Sequence, residues 1–381
     1  MFCRGVLYPC YTTYNNKGER CMCEPVMRRT SFDARARQGM SAFGLRSPLA
    51  KALSLFGALS LLTAAALPVQ AESAPASVYS IISPKAQHSL LMDVVLAGKR
   101  LVAVGDRGHI LFSDDNGTSW TQAKVPSRQM LTAVFFASAQ KGWAVGHDAQ
   151  ILHTSDAGAT WTVQFEDLER EAPLLDIWFQ NEQHGLAVGA YGALLETTDG
   201  GQNWEDVSDR LDNEDGYHLN SIAAITDSGL FVVGEQGSMF RSADWGQTWE
   251  KIQGPYEGTL FGALGTASSN TLLAFGLRGN LYRSTDFGST WQQVQLLSET
   301  GSLEFGLAGG SLLKNGDVVI VGHGGSVLTS KDSGRTFTVI NRADRASLAS
   351  AVADAAGNLV LVGQGGVQIA TPTGAEPGQK Q

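Results

Sequence analysis

The chain has 381 residues, 43% of them hydrophobic and 17% charged, with 44 glycines and a formal net charge of −9. Such a composition excludes a disordered polymer and suits a globular chain of short strands and many turns. The first 71 residues hold nine Lys/Arg and three Asp/Glu, leaving 19 basic against 34 acidic residues after them; this net −15 argues against nucleic acid and anionic lipid as partners.

In chain order, residues 1–39 precede a complete export signal and read as an over-extended start. Arg46 and Lys51 lead into the apolar run 52–67, and Leu67-Pro68-Val69-Gln70-Ala71 supplies a small-residue cleavage site, so residues 40–71 read as a signal peptide. Sixteen apolar residues are short for a transmembrane helix, which needs about 20. The four cysteines, Cys3, Cys10, Cys21 and Cys23, all lie upstream of the signal, so the mature chain has no disulfide framework and no cysteine-based zinc site.

After residue 78 the sequence repeats itself. Six segments follow the pattern [ST]-x-D-x-G-x-[TSN]-[WF]: SDDNGTSW from Ser113, TSDAGATW from Thr154, TTDGGQNW from Thr197, SADWGQTW from Ser242, STDFGSTW from Ser284 and SKDSGRTF from Ser330. Asp115, Asp156, Asp199, Asp244, Asp286 and Asp332 are predicted to accept hydrogen bonds from their own turns, with the glycine free to take a positive φ. The aromatic that ends each segment opens the next strand and buries ~150–250 Å². A second signal, Val-Gly or Phe-Gly, recurs at Gly105, Gly146, Gly189, Gly234, Gly276, Gly322 and Gly363, so the units number seven with a mean spacing of 43 residues. That is the period of a four-stranded propeller blade.

Within one unit the pattern gives four strands: residues 130–137, 142–145, 150–154 and 161–165, repeated at 174–179, 185–188, 193–197 and 204–207. The seventh unit has strands at 348–352, 359–362 and 367–370 but no aspartate turn after them. Residues 78–82 precede the first inner strand without a blade of their own, and they are predicted to supply the missing outer strand and close the ring. The fold class is therefore all-β, a seven-bladed propeller over residues 78–371 closed by an N-terminal strand, with 372–381 as a disordered tail.

The turn pattern resembles the Asp-box, or bacterial neuraminidase repeat. Joined to the inner strand Leu175-Asp176-Ile177-Trp178-Phe179 and the run from Gly185 to Trp204, it resembles the photosystem II stability/assembly factor family. The resemblance implies an exported, non-enzymatic, seven-bladed propeller whose partner is a membrane-protein complex or its assembly intermediate. It also implies basic residues on the client-binding surface, and from that this acidic chain departs.

The residues themselves give little chemistry. A sialidase needs three converging arginines, a Tyr–Glu pair and an Arg-Ile-Pro segment; that segment is absent, and the tyrosines after residue 71 are Tyr79, Tyr191, Tyr217, Tyr256 and Tyr282. Equivalent aspartates on different blades stand too far apart for a glycosidase pair, which needs ~5–10 Å. The seven histidines show no ligand spacing, and the acidic runs 166–171 and 209–216 lack an EF-hand pattern, so neither metal nor cofactor is expected. The partner site is predicted where the repeats diverge, at the turns between second and third strands together with the interblade loops 166–173 and 209–218. Arg107, His147, Asp148, Tyr191, Glu235, Arg278 and His323 are the candidate partner-binding residues. The expected protein is a monomer in the periplasm or an equivalent lumen, not an enzyme, acting as an assembly or stability factor. The alternatives are a carbohydrate-binding or glycoside-hydrolysing Asp-box protein and an accessory of an envelope transporter.

Overall fold

The computed structural model describes residues 78–298 and 301–378. The expected start at 1–39 and signal peptide at 40–71 lie outside the described residues. Among those described, seven antiparallel sheets follow one another as blades, and no helix is long and apolar enough to cross a membrane. Blade 3 shows the common plan: Leu174–Phe179, Gly185–Gly189, Leu194–Thr197 and Glu205–Asp206 pair in chain order from the inside outwards. Blades 1, 2, 4, 5 and 6 repeat it with four strands each, and blade 7 has three, Leu348–Ala353, Leu359–Gly363 and Gly366–Ala370.

The repeated Val-Gly pair has a steric cause. The residue after each glycine donates its N–H to the carbonyl just before the same blade's inner strand, as Ala190 does to Pro173 and Glu235 to His218, both at 3.0 Å. The glycine passes so close beneath that carbonyl that a Cβ on Gly234 would sit 2.2 Å from the His218 oxygen and one on Gly189 2.5 Å from the Pro173 oxygen. No side chain fits there, which is why this glycine recurs in all seven units.

Apolar residues of successive blades interlock. Trp143 of blade 2 stacks on Phe179 of blade 3 with ring centroids 3.6 Å apart, and Trp178 of blade 3 stacks on Trp245 of blade 4 at 5.8 Å. The inner strands surround an axial cavity of about 320 Å³ whose lining includes Asp93, Phe135, Asp176 and Trp178. Its carboxylates tie neighbouring blades together. Asp93 Oδ2 accepts the Val134 N–H at 3.0 Å, and Asp176 Oδ2 accepts the Ile222 N–H at 3.0 Å and the Ser221 hydroxyl at 2.9 Å.

The ends differ from the expectation. Residues 78–82 form no strand on blade 7; they lie on blade 1, where Ser80 donates its N–H to the Val125 carbonyl at 2.9 Å and its hydroxyl to Arg107 O at 3.1 Å. The Gln122 amide accepts from the Ser83 N–H and donates to Ile81 O. The outer strand of blade 1 is only Thr121–Gln122, and the N-terminal segment satisfies polar groups that this short strand leaves unmatched. Blades 7 and 1 meet instead through side chains. Val352, Val360 and Val362 share a core with Leu91, Val94 and Leu111, and the 3-10 turn Ala86–His88 lies against Gly366. Residues 371–378 do not hang free as a tail: Thr371 N–H bonds Ala375 O at 2.9 Å, and Ala375 is buried. A short hairpin, Leu297–Ser298 with Gly301–Ser302, is inserted between blades 5 and 6 and was not legible in the repeat.

Candidate functional site

Two kinds of turn repeat around the ring, and their polar atoms behave in opposite ways. In the Asp-box turns the side chains close on themselves. Asp286 Oδ1 accepts the Ser284 hydroxyl at 2.7 Å and the Thr290 N–H at 2.8 Å, while Oδ2 accepts the Thr290 hydroxyl at 2.6 Å. Ser284 Oγ in turn accepts the Gly288 N–H at 2.8 Å. The same set of bonds recurs at Asp115, Asp156, Asp244 and Asp332, and at Asp199 with the Asn203 amide in place of the second hydroxyl. The Ser119 hydroxyl and N–H hold the Asp115 carboxyl down at about 2; for Asp332 burial acts the other way, but the bonds from Thr336 and Ser330 outweigh it and bring it to about 2 as well. Each of these carboxylates is taken up by bonds within its own turn.

The turn does more than was expected of it. Left-handed backbone occurs at two successive residues, Phe287 (φ 55°) and Gly288 (φ 86°), not at the glycine alone. This pair turns a carbonyl towards the preceding blade, where a side chain meets it: Arg241 donates to Phe287 O at 3.1 Å, Arg283 to Ser333 O at 2.9 Å and Gln164 to Gly200 O at 3.2 Å. These three Asp-boxes are thus also joints between blades.

The turns between second and third strands are held by backbone and leave their tips uncommitted. Arg107, Asp148, Tyr191 and Arg278 all sit at φ 56–57°, a left-handed conformation that lifts the side chain off the blade. Tyr191 is 65% exposed and rests edge-on against His218, with ring centroids 5.0 Å apart. Arg107 is exposed beside Asp106, and Arg278 is exposed as well. The other candidates are partly engaged. Glu235 accepts the His218 N–H at 3.2 Å, Asp148 accepts the Gln129 amide, and His323 Nδ1 lies 3.1 Å from the Ser347 hydroxyl. Burial pushes the His147 pKa below the usual histidine value, and its Nε2 is enclosed without a partner. The seven candidates come from six different blades, so they mark a rim rather than one pocket.

Sequence reasoning included His218 only as the end of the loop 209–218 and did not single it out, although it accepts the Tyr191 N–H at 3.1 Å, and it missed Gln150, which is buried beneath the blade 2 turn. Both lie on the flanks of divergent turns, where no pattern singles them out. Among the described residues no group of three His, Cys, Asp or Glu side chains is placed to hold a metal ion.

Fold and turns together define an Asp-box propeller with seven blades. The sequence matches the family described as "Photosynthesis system II assembly factor YCF48" over residues 73–165 and 162–303, and the chain belongs to that family. No curated protein sequence matches it significantly. Among solved structures it is similar to "YCF48 bound to D1 peptide", with 20% identity, TM-score 0.59, and 77% of this chain and 96% of that one covered. YCF48 from Cyanidioschyzon merolae gives 17% identity and TM-score 0.59, covering 76% of this chain and 97% of that one. A virginiamycin B lyase from Staphylococcus aureus gives 10% identity and TM-score 0.63, covering 77% and 99%. Identities this low carry the fold and nothing further.

Proposed function

We propose that this chain is an exported, non-enzymatic assembly or stability factor for a membrane-protein complex, working as a monomer in the periplasm or an equivalent lumen. The observation that carries the reading is the family match across Asp-box blades. The exposed tips of the second-to-third-strand turns support it, because they leave a rim of varied side chains facing outward on a rigid ring. One structural relative is described as bound to a D1 peptide, and on that ground we take the client here to be a photosystem II subunit. The Asp-box carboxylates are closed into their own turns, which supports a reading without catalysis. Crosslinking in the native envelope followed by mass spectrometry tests it. Photosystem subunits are the expected products; transporter subunits or glycans alone would overturn the assignment of client, and turnover of fluorogenic sialosides would overturn the absence of catalysis.

A further inference from the structure

The charged groups around the rim are not evenly spread. Arg107 and Arg278 stand exposed on blades 1 and 5, whereas the loops 166–171 and 209–215, beside blades 2 to 4, carry most of the carboxylates. The cation within loop 166–171, Arg170, is taken up by Asp167 at 3.7 Å and by Asp206 on blade 3. Arg210, beside the second loop, pairs with Glu196 at 2.8 Å.

Blade 2 departs from the others inside this acidic sector. Where most blades place a glycine at the end of the second-to-third-strand turn, blade 2 has Ala149, still left-handed at φ 49° and directly after Asp148 at φ 57°. In the glycine blades the loop backbone lies against that position: a Cβ on Gly237 would meet Tyr256 O at 2.1 Å and one on Gly279 would meet Leu303 O at 2.3 Å. At Ala149 a methyl takes that space, and the acidic loop passes beside it. It is held there by the Ala149 N–H on Ala172 O at 2.9 Å and the Asp167 N–H on Asp148 O at 3.1 Å.

Beneath this loop Gln150 is only 5% exposed, its amide nitrogen donates to Glu166 Oε2 at 3.4 Å, and its Oε1 has no partner. The orientation of the amide is fixed by its neighbour, since the flipped form would set oxygen against carboxylate. A buried amide oxygen without a donor costs free energy until something donates to it. Gln150 and the Glu166 carboxylate thus present acceptors side by side, and Asp148, two positions before Gln150, carries a second carboxylate that takes the Gln129 amide and whose backbone holds the loop. A cationic N–H donor matches this corner twice, by hydrogen bonding to the amide oxygen and by charge beside the carboxylates. Leu168, 61% exposed on the same loop, offers the apolar surface along which a long aliphatic stem can lie.

We infer that the blade 2 corner formed by Asp148, Gln150 and Glu166 receives a lysine or arginine side chain of the client, so that the segment recognised here is basic. The inference rests on the client-binding reading above and names the chemistry of the client's docking segment. Its test uses the full chain and three fluorescein-labelled peptides, Lys-Gly, Arg-Gly and Glu-Gly repeats, titrated by anisotropy at about 0.02 M and about 0.5 M salt. Lysine and arginine peptides are expected to bind, with affinity falling at the higher salt, and the glutamate peptide not to bind. Asp148→Asn with Glu166→Gln should weaken binding about ten-fold, while Lys331→Glu, exposed on blade 6, should not weaken it. Gln150→Leu separates a built site from a diffuse acidic field: a loss of affinity supports the corner, and unchanged affinity overturns it. Equal binding by the doubly neutralised variant, or no binding by the wild type, also overturns it. Thermal melts check that each variant is folded. The peptide titration judges the corner, and envelope crosslinking of the wild type judges the client, so the two can fail separately.

Discussion

The Asp-box turns and the turns between second and third strands solve the same geometric problem with opposite parts of the residue. Both reverse the chain tightly and both use left-handed backbone, at Phe287 in one case and Tyr191 in the other. In the Asp-box the side chains make the turn, so the sequence must repeat. Between second and third strands the backbone makes the turn, through bonds such as Glu235 N–H to His218 O, and only the glycine before it must repeat. The difference shows where a repeat protein is free to acquire function: at positions whose side chains the scaffold does not use.

That contrast can be broken most forcefully at the glycine. Gly234→Val places a side chain against the His218 carbonyl and is expected to destabilise the fold by about 3 kcal/mol, read from urea or thermal unfolding; a fold as stable as wild type would show that the close approach is not required. Next in size is Asp286→Ala, which deprives the Thr290 N–H and two hydroxyls of their acceptor and should cost about 1–2 kcal/mol. A cost close to zero would mean that water replaces the carboxylate without loss.

Acid sharpens the same comparison. Asp115 and Asp332 are held at about 2 in the folded chain, against about 3.9 for a free aspartate. A carboxylate depressed in this way binds its proton more weakly folded than unfolded, so its stabilisation is complete above about pH 4 and is lost as pH falls through about 2. The difference in melting temperature between wild type and Asp332→Ala should therefore shrink steadily from pH 4 to pH 2; a constant difference would contradict the assignment. The smallest effect is expected at the tips. Tyr191→Ala and Arg278→Ala should change stability by no more than about 0.5 kcal/mol while lowering recovery of the client in crosslinking. Large losses of stability at these positions would make them scaffold rather than surface.

What the sequence determined by itself was whatever could be settled within a few residues. Every bond that the aspartate and the leading Ser or Thr make within the Asp-box turn spans at most four positions, as from Asp286 to Thr290, so the eight-residue pattern carries its own structure and fixes the strand that follows. The glycines at 105, 146, 189, 234, 276, 322 and 363 fixed the number of blades, because the contact that demands them is made in every unit. Tertiary structure decided the rest. Residues 78–82 could have paired with blade 7 by count alone, yet Ser80 bonds Val125 and Arg107, partners that become neighbours only after the first blade has formed. His218 supports Tyr191 from 27 positions away, and Gln150 reaches Glu166 from 16. Such pairs leave no local signature, because either residue would read as an ordinary loop or strand position without the ring that brings them together.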